Sequence, residues 1–197
     1  MKIAKKISDY FSGSKDSAFP QRVTIEVTSR CNINCVMCPR HNALSRDGDM
    51  DEKIFYKIID EISAYSNRDI VPFFRGEPLM NPRFPKWMKY ARQQGIRQIQ
   101  MATNAVLLSP GIAEALLECK IDIVSFSVDA LGKESYESTR LNSNYDKVLE
   151  NIENFIKLRN KQKSSTSIQI SATMVKGFTG KTKQQFVEYW QPKVDRV

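Results

Sequence analysis

The sequence is poor in the features that mark membrane-spanning, secreted and disordered proteins. No apolar run approaches the roughly 18 residues that cross a bilayer, and residues 1–11 lack the apolar core and small-residue cleavage site of a signal peptide. Hydrophobic residues make up 41% of the chain and charged residues 26%, a balance that excludes a disordered protein. We therefore expect a globular, cytoplasmic protein of about one domain with no membrane span.

Acidic residues are outnumbered, but the excess of basic residues forms no dense arm. The formal net charge is +8, and the lysines and arginines are scattered along the 197 residues. Nucleic-acid-binding proteins usually concentrate such charge on one face or in one stripe. The scatter favours an ordinary solvated surface, so nucleic acid is not an expected partner.

The chain divides into an extension at residues 1–20 and a domain at residues 21–197 in which strands and helices alternate. Asn81–Pro82 is expected to begin one of these helices, and VDRV at 194–197 resembles the first residues of a sixth strand. Strict strand–helix alternation predicts an α/β fold, with a parallel sheet of about five to six strands and helices outside it. Such a sheet either closes into a barrel or stays partly open, and in both cases active groups gather at the carboxyl ends of the strands.

Cysteine is scarce, with four residues in the chain, yet three of them fall within eight positions. Cys31, Cys35 and Cys38 form a C-x3-C-x2-C pattern directly after the first predicted strand. A [4Fe–4S] cluster usually takes four thiolates, so three local cysteines would leave one iron open for another ligand. A Cys3His zinc site that uses His41, or three inert reduced thiols, also satisfies the pattern. Cys119 stands apart on an apolar helix face and is expected to be a buried core thiol.

The C-x3-C-x2-C pattern after the first strand resembles the signature of the radical SAM superfamily. The resemblance implies a partial (β/α) barrel and a [4Fe–4S] cluster whose open iron is chelated by S-adenosylmethionine (SAM). It also implies reductive cleavage of SAM to methionine and a 5′-deoxyadenosyl radical, which abstracts hydrogen from a substrate. A reductant such as flavodoxin or ferredoxin would then be a partner.

Two further strand ends carry similar motifs. RGEPL at 75–79 resembles the family's Gly-Gly-Glu-Pro segment, which binds the SAM amino group, and the match falls on Gly76, Glu77 and Pro78. The first glycine is replaced by Arg75, which is a candidate for a substrate contact instead. TNA at 103–105 resembles Thr-Asn-Gly, in which Asn104 matches and the last residue departs. The asparagine either contacts SAM or shapes the turn.

The fourth and fifth predicted strands supply the remaining candidates. Alternation along SFSVD places Ser127 and Asp129 on a polar face, where the family binds the SAM ribose and carboxylate. SYESTR resembles the family's Tyr-x-x-x-Arg stretch, which makes Arg140 a candidate for the SAM carboxylate. Thr173 in the fifth strand is a candidate for the ribose or adenine. No residue is assignable as a general base or radical quencher.

The run FPQRVTIEVTSRCNINCVMCPR is most similar to the barrel start of radical SAM proteins with a C-terminal SPASM extension, and the likeness covers about residues 19–197. Such proteins modify peptides, protein side chains or sugars, so a peptide or other small-molecule substrate is implied. The extension is absent here, and we expect a barrel that stops before or within strand six. An open edge of this kind favours a partner chain or self-association. The alternatives are a cluster- and SAM-binding fragment without turnover, and a zinc module that binds RNA.

Overall fold

The computed structural model describes residues 19–42, 47–174 and 180–197. The predicted extension at 1–20 therefore lies outside the described residues, apart from Phe19 and Pro20. The strand bounds are β1 Arg22–Thr24, β2 Asn34–Cys35, β3 Asp69–Val71, β4 Gln98–Thr103, β5 Ile123–Ser127, β6 Arg140–Leu141 and β7 Ser167–Ser171. Five of these strands form one sheet in the order β1–β3–β4–β5–β7, and every neighbouring pair is parallel. The two short strands β2 and β6 pair with each other in antiparallel fashion.

In the main sheet each strand lies beside the one before it in the chain, with a helical crossover between them. This is the order of a barrel wall, and the predicted α/β fold of the partial-barrel type is confirmed. At its far edge, Gln169 forms an isolated parallel bridge with Arg196. The carboxyl-terminal residues thus begin to pair with β7 as a sixth strand would.

Three of the helices in the described part of the chain begin at a polar side-chain cap. Asp51 accepts hydrogen bonds from the Lys53 and Ile54 amides, and Ser109 and Asn144 cap two later helices in the same way. The helix bounds are α1 Glu52–Ser63, α2 Phe84–Gln93, α3 Pro110–Glu118, α4 Lys133–Glu137, α5 Tyr145–Lys161 and α6 Gly180–Trp190. No helix among the described residues is long and apolar enough to cross a membrane.

The expected helix start at Asn81–Pro82 is wrong. Helix α2 begins at Phe84 and carries Pro85 in its first turn. The Asn81 side chain accepts from the Arg83 amide at 3.0 Å and donates to the Val27 carbonyl at 3.0 Å. Asn81 therefore makes a turn that joins this segment to the end of the first strand, and Pro85 supplies the fixed φ of the helix start.

The core lies between the sheet and the helices. Phe126 of β5 packs edge-on against Phe155 of α5, with ring centroids 5.4 Å apart. Trp87 of α2 stacks on Phe55 of α1 at 4.5 Å. All four rings are fully buried, and burial of each contributes about 1.5–3 kcal/mol. Cys119 is also buried, and its thiol donates to the Pro85 carbonyl, so the expectation of a core thiol is confirmed.

Candidate cofactor site at the carboxyl end of the sheet

The three clustered cysteines lie on a loop at residues 31–38, which we call the cysteine loop. All three are free and half-buried. The middle of the loop forms β2, which pairs with β6 on the segment that follows β5. The Val36 amide extends this pairing by donating to the Thr139 carbonyl at 2.9 Å. The cysteine loop is therefore held against a segment more than 100 residues away in the chain.

The RGEPL segment provides a second anchor. The Glu77 amide donates to the Arg30 carbonyl at 2.8 Å, immediately before the first cysteine. A Cβ atom at Gly76 would lie 2.8 Å from the same carbonyl oxygen and nearer still to the Thr28 carbonyl oxygen. Real Cβ atoms essentially never come within 3.0 Å of another heavy atom in this way. Glycine is therefore required at position 76, where the two backbone segments approach each other closely.

The TNA turn provides the third anchor. Asn104 Nδ2 donates to Asn32 Oδ1 at 2.9 Å and lies 3.9 Å from Cys31 Sγ. Asn104 also shapes its own turn, because its Oδ1 accepts from the Val106 amide at 3.0 Å. Ala105 takes a left-handed φ of 61° while fully buried, which explains why the resembling motif has glycine at this position. The β6 segment and the TNA turn thus contact the cysteine loop itself, and the RGEPL segment contacts the residue just before it.

Glu77 is the buried acid that joins the second and third anchors. Its carboxylate accepts from Thr103 Oγ1 at 2.7 Å, the Asn104 amide at 2.8 Å and the Leu79 amide at 3.2 Å. Burial raises the pKa of Glu77 to about 7, and the three hydrogen bonds oppose that rise. The carboxylate of this motif is thus engaged in fixing the TNA turn.

Asp129 and Arg140 were predicted as separate SAM contacts, and in the structure they contact each other. Arg140 Nε donates to Asp129 Oδ2 at 2.6 Å, and both side chains are buried. Asp129 Oδ1 accepts from the Thr173 amide at 2.8 Å, so both carboxylate oxygens have partners. Arg140 Nη1 donates to Cys35 Sγ at 3.8 Å. Ser127 lies half-buried at the end of β5, on the same side of the strand as Asp129.

The environment of the sulfur atoms fits a cluster held by thiolates. Burial raises the pKa of the Cys31 and Cys35 thiols, so in the absence of a cation their neutral forms are favoured. Each of these two sulfurs faces a side-chain N–H donor, from Asn104 and from Arg140. Iron–sulfur clusters are held by thiolates and tuned by hydrogen bonds to sulfur. Among the described residues, no three His, Cys, Asp or Glu side chains converge on a point that would hold a single metal ion.

Some residues that support the site belong to no recognisable sequence motif. Asn151 of α5 is buried and donates to the Ala105 carbonyl at 2.8 Å, which supports the TNA turn from behind. Arg75 makes a two-fold ion pair with Glu26 of the first strand's end, at 3.1 and 2.9 Å, so the candidate substrate contact has an internal partner. The period-two alternation of residues 23–27 locates Glu26 on a polar face, but nothing local identifies its partner.

A partial barrel with three cysteines gathered at the carboxyl end of its parallel strands has its chemically reactive side chains where α/β enzymes place their active sites. The chain belongs to the Radical SAM superfamily, whose sequence model matches residues 25–189. The expected family is therefore confirmed. The cofactors of this family are the expected [4Fe–4S] cluster and SAM, and its members are enzymes.

Two curated relatives illustrate the range of the family. The chain is 34% identical over 108 residues to the tungsten-containing aldehyde ferredoxin oxidoreductase cofactor-modifying protein of Pyrococcus furiosus, covering 54% of this chain and 30% of that protein. It is 28% identical over 167 residues to GTP 3′,8-cyclase of Chlorobaculum tepidum, covering 84% of this chain and 48% of the cyclase. The chain thus spans half or less of the length of these relatives.

Solved structures share the fold. SuiB of Streptococcus suis bound to S-adenosylmethionine superposes with a TM-score of 0.73 at 18% identity, covering 99% of this chain and 43% of SuiB. The protein anSMEcpe with bound AdoMet superposes with a TM-score of 0.70 at 21% identity, covering 88% of this chain and 49% of that chain. At these identities the likeness establishes the fold alone.

Proposed function

We propose that this chain is the catalytic domain of a radical SAM enzyme in which Cys31, Cys35 and Cys38 hold the [4Fe–4S] cluster. The observation that carries the proposal is that three segments hold the cysteine loop and the residue before it in place: RGEPL after β3, TNA at the end of β4, and β6 after β5. When bound, the cluster supplies the electron that cleaves SAM to methionine and a 5′-deoxyadenosyl radical. We propose a peptide or sugar-like substrate as the hydrogen donor, and a small electron-transfer protein such as flavodoxin or ferredoxin as the reductant.

The chain's own residues have separate proposed roles toward SAM. The backbone of Gly76, Glu77 and Pro78 would accept hydrogen bonds from the amino group, which matches the acceptors that an ammonium group needs. Support comes from the contact of this segment with Arg30, the residue before the cysteine loop, through the Glu77 amide. Asn104 would fix the loop beside Cys31.

Ser127, which ends β5, would contact the ribose, and Thr173, two residues beyond the end of β7, would contact the ribose or adenine. Asp129 accepts a hydrogen bond from the Thr173 amide and so fixes the backbone at Thr173. Arg140 remains the candidate for the SAM carboxylate, and its guanidinium is already held by Asp129.

A second candidate function is binding of the cluster and SAM without turnover. The observation that favours it is that this chain spans only 30% and 48% of the length of the two curated relatives. A partner chain, or a second copy of this chain, would then cover the sheet edge at β7 and complete the barrel. Light scattering tests this arrangement, since a strictly monomeric protein that turns over SAM would contradict it.

The experiment is anaerobic reconstitution with iron and sulfide, then reduction with dithionite in the presence of SAM and assay of 5′-deoxyadenosine. We expect product from the wild type and from Cys119→Ala, the matched control with a thiol in the core, but none from Cys35→Ala. A visible cluster spectrum without product would favour the binding function. A colourless protein that retains zinc would overturn both and support the Cys3His alternative.

A further inference from the structure

Arg140 is the charged side chain that hydrogen-bonds to a sulfur of the cysteine loop. Its Nη1 lies 3.8 Å from Cys35 Sγ, while its Nε is fixed at 2.6 Å on Asp129. The side chains of Arg140 and Asp129 are 8% and 1% exposed, so little water screens the guanidinium. A buried guanidinium held by a carboxylate is a rigid fork, and its remaining N–H groups have a set direction.

We infer that Arg140, oriented by Asp129, donates a charge-assisted hydrogen bond to Cys35 Sγ and thereby raises the reduction potential of the cluster. The inference rests on the proposed function, because Cys35 must be a cluster ligand. It gives Arg140 a role that is present before SAM binds. Asp129 is then a positioning residue that acts through Arg140.

The direction of the effect follows from charge. Reduction adds one electron to the cluster, and part of the added negative charge falls on the cysteine sulfurs. A cation or an N–H donor at a sulfur therefore stabilises the reduced form more than the oxidised form.

The backbone holds the donor and the sulfur in register. Cys35 pairs directly with Arg140 in the β2–β6 ladder, so the two residues are opposite each other on neighbouring strands. Asp129 is tied to the Thr173 amide beyond β7, which fixes the carboxylate that holds the guanidinium. Cys31 has a neutral counterpart in Asn104, whose Nδ2 lies 3.9 Å from Sγ. The charged donor therefore serves Cys35, and a neutral donor serves Cys31.

The test is an EPR-monitored redox titration of the reconstituted protein without SAM, followed by measurement of SAM affinity. We expect Arg140→Gln to disfavour reduction about tenfold at a given potential, which is a fall of about 59 mV for a one-electron couple. Lys133→Gln removes an exposed lysine that pairs with Asp146 and should leave the potential unchanged. A wild-type potential in Arg140→Gln, with weakened SAM binding, would overturn the inference and leave Arg140 as a SAM carboxylate ligand.

Arg140→Lys is the variant to measure if Arg140→Gln does not assemble a cluster. Lysine keeps the charge beside Asp129 but lacks the planar fork that reaches two acceptors at once. We expect its potential to lie below that of the wild type, and an unchanged potential would overturn the inference. If the wild type itself shows no EPR signal of a [4Fe–4S] cluster, that result contradicts the proposed function rather than the role inferred for Arg140.

Discussion

Gly76→Ala tests the close approach between the RGEPL segment and the chain that leads into the cysteine loop. The new Cβ would lie 2.8 Å from the Arg30 carbonyl oxygen and closer to that of Thr28. Both neighbours are backbone atoms, so no side-chain rotation relieves the overlap. Overpacking of this kind costs about 1–3 kcal/mol. Separation of the two segments also weakens the Glu77 amide to Arg30 carbonyl hydrogen bond, which adds about 1 kcal/mol.

Urea unfolding of the cluster-free protein measures this loss, which we expect to total about 2–4 kcal/mol. Gly111→Ala is the matched control, because a Cβ there has no neighbour within 4 Å. Gly111 lies in the first turn of α3, so alanine is expected to change stability by less than about 1 kcal/mol, in the stabilising direction. Iron bound per chain after reconstitution should fall in Gly76→Ala alone. Equal stability of the two variants would refute the assignment of Gly76 to a backbone contact.

Two further changes probe the anchors of the site. The folded-state pKa of Glu77, about 7, lies above its ordinary value of 4.5, so its ionisation opposes folding. Relative to Glu77→Gln, the wild type should therefore be most stable below about pH 4.5. It should lose up to about 3 kcal/mol of this relative stability as the pH rises from 4.5 through 7. Urea unfolding at pH 5 and pH 8 checks this, and a pH-independent difference would contradict it. Asn151→Ala leaves the buried Ala105 carbonyl without its side-chain donor and should cost about 1–3 kcal/mol. Denaturation midpoints measure that loss, and a change below about 0.5 kcal/mol would show that α5 does not support the turn.

The fold was largely predictable because its strands and helices have clear periods. Period-two alternation along residues 124–129 puts Val124 and Phe126 on one face of the strand and Ser125 and Asp129 on the other. In the structure Phe126 packs on α5, and Ser125 Oγ lies 2.8 Å from Ser171 Oγ of the neighbouring parallel strand. The local sequence pattern suffices here for two reasons. The period-two alternation determines which side chains of a strand face the helices, and the order of strands and helices determines which strands are neighbours.

Partners of the site residues were not predictable in the same way. Asp129 and Arg140 each matched a motif, but no local signal reveals that they pair, since the pairing depends on the turn of α4 between them. The predicted start of α2 was wrong for a related reason. Asn81–Pro82 and Pro85 are competing helix-start signals, and the long-range hydrogen bond from Asn81 to Val27 decided between them.

The anchors of the cysteine loop separate cofactor binding from substrate selection. The described long-range hydrogen bonds of the loop and of the residue before it come from Glu77, Asn104 and the β6 segment, and the supports behind them reach no further than Thr173. The first two anchors follow strands of the parallel sheet, and the third is the antiparallel β2–β6 pair. Cluster assembly should therefore depend on contacts that this chain makes by itself. Selection of the proposed substrate would instead depend on loops at the carboxyl end of the sheet, so a stable cluster with slow SAM cleavage is consistent with this arrangement.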